Sequence, residues 1–139
     1  NLNKNTFITE RIGTKVTLFA NDSLLKIGVK NQILNNYLVG NFSHLAAAKK
    51  IKNTAFFKGY SILILDSTGI YPKQHQADIL VLTQSPKINL DRLIQISRPK
   101  EIVADATNYK SFQEKWKASC LKAKIPFHAT GEKGFYRLY

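Results

Sequence analysis

The sequence predicts an α/β domain: a layered, mixed β-sheet with flanking helices. Three observations carry that expectation. Short apolar runs at residues 60–65, 77–83 and 101–104 each end in turn-forming residues, the signature of buried strands. Between them, apolar residues return at helical spacing behind capping side chains, and strands alternating with helices at short intervals argue for layers. The third is material for a core. The chain has 139 residues, 44% of them hydrophobic, including 8 Phe, 6 Tyr and 1 Trp. At this length about two-thirds of the unfolded surface is buried on folding, so one domain over residues 1–139 is expected.

The elements follow in order. Residues 5–10 (Asn-Thr-Phe-Ile-Thr-Glu) predict a short strand. From Lys15 to Val39, Val16, Phe19, Leu24, Ile27, Ile33, Leu34, Tyr37 and Leu38 recur near helical spacing. That predicts two helices or one broken helix, interrupted at Asn21-Asp22-Ser23 and Gly28, with Asp22 or Ser23 as a cap and Gly40 as the end. Residues 54–66 read as strand, tight turn at Lys58-Gly59 and buried strand, closed by Asp66-Ser67-Thr68-Gly69. A second apolar strand runs from Ala77 to Thr83. A helix opens at Asn89 and stops before Pro99; a strand over Glu101–Ala104 then leads to Asp105. In the helix from Ser111 to Lys122, Phe112, Trp116 and Cys120 share one apolar face, so Trp116 is expected to be buried. Two closing strands, Ile125–Ala129 and Phe135–Tyr139, are expected around Gly131 and Gly134.

Charge narrows the partners. Lys and Arg total 21 against 9 Asp and Glu, a net charge of +12. Such an excess favours polyanions. Only four of the 21 are Arg, which suits diffuse phosphate contact better than bidentate base reading. Two clusters stand out: Lys49, Lys50, Lys52 and Lys58 before and within the predicted hairpin, and Lys110, Lys115, Lys117, Lys122 and Lys124 along the Trp116 helix. If the two clusters share a face, backbone phosphate contact with nucleic acid follows. A solvated, solubilising surface is the plain alternative. One Cys excludes a disulfide scaffold, and no run approaches 18 apolar residues. A chain that begins with Asn1 and has no Met is expected to be a processed chain or an excised domain of something longer.

Catalytic motifs are sparse. Neither GxGxxG nor GxxxxGK[ST] occurs, and Thr130-Gly-Glu-Lys-Gly134 reads as a glycine-containing hairpin. The three His, at 44, 75 and 128, show no metal-ligand spacing. Cys120, beside Trp116, reads as a small hydrophobe. The informative carboxylates are Asp66 and Asp105, because both end apolar strands, where open α/β sheets place their sites. Asn108, His128 and Thr130 are candidates for the same edge. The alternative role for such Asp residues is to cap turns.

Residues 60–138 resemble the carboxy-terminal metallo-β-lactamase-like domain of the ComEC family, membrane channel proteins of competence that pass single-stranded DNA across the inner membrane. Ile62-Leu-Ile-Leu-Asp66 stands where the family has an apolar strand ending in a metal-binding Asp. Asp78-Ile-Leu-Val-Leu-Thr83 matches the strand that runs into His-His-Gly, but Thr83-Gln84-Ser85 replace the histidines. Arg98-Pro-Lys-Glu-Ile-Val-Ala-Asp105 leads to Asn108-Tyr109, with Ser111-Phe112 in place of His-Pro. Ile125-Pro-Phe-His-Ala-Thr130 and Gly134-Phe-Tyr-Arg-Leu138 match the closing pattern. The resemblance is greatest to shortened, degenerate Bacteroidetes-type members. It implies a partial metallo-β-lactamase-like fold and a soluble domain, on the periplasmic side, of an inner-membrane protein. Its implied partners are DNA, single-stranded and contacted through the backbone, and the membrane channel portion of the same protein. With the histidines gone, only Asp66 survives as a ligand, so no metal, no cofactor, no small-molecule substrate and no catalysis are expected. The competing expectations are a hydrolase with a reduced metal site at Asp66, Asp105, Asn108 and His128, and a purely structural module.

Overall fold

The computed structural model describes residues 6–20, 32–41, 43–71 and 76–138. They fall into two compact units, Leu2–Ile51 and Lys52–Tyr139.

In the first unit, β1 (Phe7–Ile12) and β2 (Lys15–Ala20) form an antiparallel hairpin. Gly13, at φ 62°, supplies the positive φ that a two-residue hairpin loop needs. After α1 (Gln32–Gly40), β3 (His44–Lys50) pairs parallel with β2, giving the order β1-β2-β3. The expected helix at Lys15 is therefore a strand. The spacing of Val16 and Phe19 suits a helix, but Val16, Leu18 and Ala20 also alternate, and all three are buried once β2 gains partners on both sides. The later helix of that expectation is α1. Asn21, Asp22, Ser23, Leu24, Ile27 and Gly28 lie outside the described residues. β3 has no strand signal, because alanine and lysine are poor strand formers. It is extended because β2 offers it a ladder.

The second unit is a five-stranded sheet in the order β4-β5-β6-β7-β8. β4 (Thr54–Phe57) and β5 (Tyr60–Leu65) form the expected hairpin, with Lys58 at φ 47° and Gly59 at φ 82°. β5, β6 (Ile79–Leu82), β7 (Glu101–Ala104) and β8 (Phe127–Ala129) are parallel. One sheet face carries Leu63, Leu65, Leu80, Leu82, Ile102 and Ala104. Against it pack Leu90 and Leu93 from α2 (Leu90–Ser97) and Trp116 and Cys120 from α3 (Lys110–Ala123). The Asn89 side chain caps α2 by accepting from the Arg92 N–H (3.1 Å), as its sequence position predicts. Trp116 is 3% exposed, so the expectation for its face holds. Burial pushes the Cys120 thiol up to about 12, with the negative charge of Asp91 adding to it, which suits a core side chain and not a nucleophile.

The opposite ends of the strands are tied by Asp78. Its carboxylate accepts from the Ser61 N–H (2.9 Å) and lies 3.2 Å from the Lys100 ammonium, while its backbone carbonyl accepts from the Lys100 N–H (2.8 Å). The Ser61 N–H first, and Lys100 second, hold the Asp78 carboxyl below its ordinary value. A depressed folded pKa means a contribution that is present above the unfolded value, near 4, and is lost as pH falls through the folded one. Chemical denaturation of Asp78→Asn should therefore show the variant less stable than the parent at pH 6, with the gap closing below about pH 4. A gap independent of pH would contradict this.

The carboxyl end departs from expectation. Thr130–Lys133 form a single helical turn, α4, closed by Gly134 at φ 78°, in place of the hairpin. Residues 135–138 form no strand. They are fastened by side chains: Tyr136 Oη donates to Glu101 Oε2 (2.8 Å), and its ring meets His128 edge-on at 5.4 Å. Burial, and then the Glu101 carboxylate, raise the Tyr136 hydroxyl pKa above the ordinary phenol value.

Candidate functional site

Four parallel strands place their carboxyl ends along one edge, where loops led by Asp66, Thr83, Asp105 and Thr130 converge. The loops after β5 and β7 are built alike. Asp66 Oδ1 accepts from the Thr68 N–H (3.0 Å) and the Thr68 hydroxyl (2.5 Å). Asp105 Oδ1 accepts from the Thr107 N–H (3.1 Å) and the Thr107 hydroxyl. Each Asp thus turns one oxygen back into its own loop, the role Asp takes when it shapes a turn.

The loop after β6 is held from the β7 side. Gln84 and Ser85 take φ values of 57° and 52°, consecutive left-handed residues that carry a side chain, a conformation costing roughly 1–2 kcal/mol each. Two hydrogen bonds offset that strain: the Gln84 N–H donates to Thr107 Oγ1 (2.7 Å) and the Ser85 N–H to Asn108 Oδ1 (2.8 Å). Asn108 is 6% exposed, and its Nδ2 donates to the carbonyls of Leu82 (2.7 Å) and Asp105 (2.8 Å). Ser85 Oγ in turn accepts from the Tyr109 N–H (2.7 Å), fixing the start of α3. Thr130 opens α4 at the same edge, and a Cβ on Gly131 would stand 3.3 Å from the Ala106 Cβ, so this loop sits close against the one after β7.

The structure therefore brings Asp66, Asp105, Asn108 and Thr130 to one edge. It does not bring His128 there. His128 lies within β8, on the face opposite Ala129, and its Nε2 is 2.8 Å from the Gly134 carbonyl. A metallo-β-lactamase-type metal needs several histidines and carboxylates converging on it. The strand-end donors do not fit one: Asp66 and Asp105 each commit one oxygen to their own turn, the Asn108 amide is hydrogen-bonded within the edge, and Gln84 and Ser85 stand where the family's histidines would. Among the described residues no three His, Cys, Asp or Glu gather as a metal site. His75 lies outside the described residues. Thr107, Gln84 and Ser85 carry this edge and were not among the expected site residues. The repeated Asp-x-Thr at 66–68 and 105–107 was the available signal.

The lysines divide between the units. Lys49 and Lys50 lie on β3, and Lys52 opens the second unit; all three are exposed. Lys110, Lys115, Lys117 and Lys122 are exposed on α3, and Lys124 is its left-handed cap. Lys110 and Lys117 form one row two turns long, and Lys115 and Lys122 another. Lys117 reaches Glu132 at 3.8 Å with both side chains largely in water, a surface pair worth little to stability. The geometry defines a basic α/β domain with a hydrogen-bonded strand-end edge. The chain belongs to the ComEC C-terminal domain family, whose model matches residues 1–139, and through that family it is tied to the membrane proteins of competence DNA uptake. No curated protein and no solved structure matches it. No helix among the described residues is long and apolar enough to cross a membrane.

Proposed function

We propose that residues 1–139 act as a non-catalytic, DNA-contacting tail of a ComEC-type DNA-uptake protein. One functional region is supported by the family model, which spans both units. In this reading the five-stranded sheet is a reduced metallo-β-lactamase-like half on the periplasmic side, docked to the channel portion of the same protein. The observation that carries it is the state of the strand-end edge, whose carboxylates and amides serve loop structure while the lysines of α3 face water. Contact with DNA is then electrostatic and made to phosphates, single strands being the form that passes the channel.

Fluorescence anisotropy with labelled oligonucleotides across a salt series tests it. A log–log slope implying about three or more phosphates, at roughly 0.7–0.9 each, is expected. The triple variant Lys115→Gln, Lys117→Gln, Lys122→Gln should lower the slope by about 2 and weaken binding at low salt by about tenfold or more. Unchanged affinity in the triple variant would remove α3 from the interface.

A further inference from the structure

β4 is the outer strand of its sheet, and among the described residues no strand pairs with its free side. The register identifies the groups on that side. The two-residue turn at Lys58-Gly59 makes Phe57 and Tyr60 the closing hydrogen-bonded pair, and such pairs alternate along an antiparallel ladder. Ala55 and Ile62 form the next one, and the Ile64 N–H donating to the Asn53 carbonyl (2.7 Å) continues the series. Thr54 and Phe56 therefore turn their N–H and C=O groups away from β5. Both side chains are exposed, Phe56 at 76%.

Sheet edges are normally blunted against further pairing. β8, at the other end of this sheet, is three residues long, and the Lys133 ammonium caps its Phe127 carbonyl at 3.0 Å. β4 carries no proline, no charged residue and no register shift. Lysines stand beyond both of its ends, Lys52 and Lys58, and both are exposed. From this we infer that the β4 edge accepts an extended, acidic segment of a protein partner as a further strand. Thr54 and Phe56 supply the main-chain hydrogen bonds, and Lys52 and Lys58 select the charge. Strand addition takes its affinity from main-chain bonds and its specificity from side chains along the strand. A second copy of the chain fits worse. Antiparallel pairing of Thr54 with Phe56 of the other copy sets Lys52 of each beside Lys58 of the other, between chains that each carry +12. The site is separate from α3 and does not depend on the DNA-contacting reading.

The test is titration of the chain with a capped Glu-Val-Thr-Val-Glu peptide, followed by amide NMR and hydrogen exchange. Binding at about 1 mM or tighter is expected, with exchange slowed at the Thr54 and Phe56 amides. A Lys-Val-Thr-Val-Lys peptide should bind about fivefold more weakly, and the acidic peptide N-methylated along both of its edges should not bind. Thr54→Pro removes one outward N–H and no ladder bond, so it should stay folded and weaken peptide binding about fivefold. It should bind oligonucleotides as the parent does, so the two readings fail separately. Binding that is indifferent to N-methylation but lost in Phe56→Ala would reduce the edge to an apolar patch and overturn the proposal. Equal affinity for the acidic and basic peptides, or no binding of either, would overturn it too. Self-association abolished by Thr54→Pro would assign the edge to a second copy and overturn the acidic partner.

Discussion

Asn108→Asp should lower the unfolding free energy by roughly 3 kcal/mol in urea titrations near neutral pH. The Asn108 amide donates to the Leu82 and Asp105 carbonyls at 2.7 and 2.8 Å, with its oxygen accepting from the Ser85 N–H at 2.8 Å. A carboxylate keeps the acceptor but turns the two donors into a second acceptor, facing two carbonyls in a site 6% exposed. Asn108→Ala removes the same bonds without adding charge, so its loss should be smaller. The order, with the carboxylate variant worse than the alanine one, is the informative part. Were the carboxylate variant within about 1 kcal/mol of the parent, the bonds donated to the Leu82 and Asp105 carbonyls would not be what Asn108 contributes.

Trp116→Ala should cost about 3–5 kcal/mol. The ring is 3% exposed, meets Phe112 edge-on at 5.8 Å and belongs to the cluster joining α3 to Leu90, Leu93 and the sheet. A loss below about 1 kcal/mol would contradict that packing. Trp116→Phe keeps most of the apolar volume and should stay folded. It should also bind oligonucleotides as the parent does, because a buried ring cannot stack on bases. Weaker binding by a stably folded Phe variant would move the interface to Trp116.

Periodicity serves well wherever one element alone decides its burial. The Lys58-Gly59 turn, the Asn89 cap, the buried runs of β5, β6 and β7, and the Phe112–Trp116–Cys120 face are all legible, because each depends on residues close in sequence. The amino half is not. Val16 and Phe19 satisfy a helical and an extended spacing in part, and only the partners on both sides of β2 decide between them. β3 has no propensity for a strand and takes its conformation from the ladder it joins. At the carboxyl end, Gly131 and Gly134 suggest a hairpin by their spacing. There a helical turn fits against Ala106 instead, and Tyr136 reaches Glu101 by its side chain.

The candidate site divides in the same way. Asp66 and Asp105 are visible because a carboxylate after an apolar run lies at a strand end. Whether such a carboxylate faces a ligand or its own turn depends on where the second oxygen-bearing group stands, and Thr68 and Thr107 settle that locally. Asn108 is visible as a residue but not as the clasp between two loops 23 residues apart in sequence. The layered α/β class, the basic surface, the missing histidines and the ComEC resemblance are all properties of composition and local pattern, so the bare chain suffices for them. Folding in three dimensions is what selects which strands pair, turns His128 away from the strand-end edge and leaves Phe56 in water. Those outcomes depend on register and on what packs against each face, and neither is encoded within a single window of the chain.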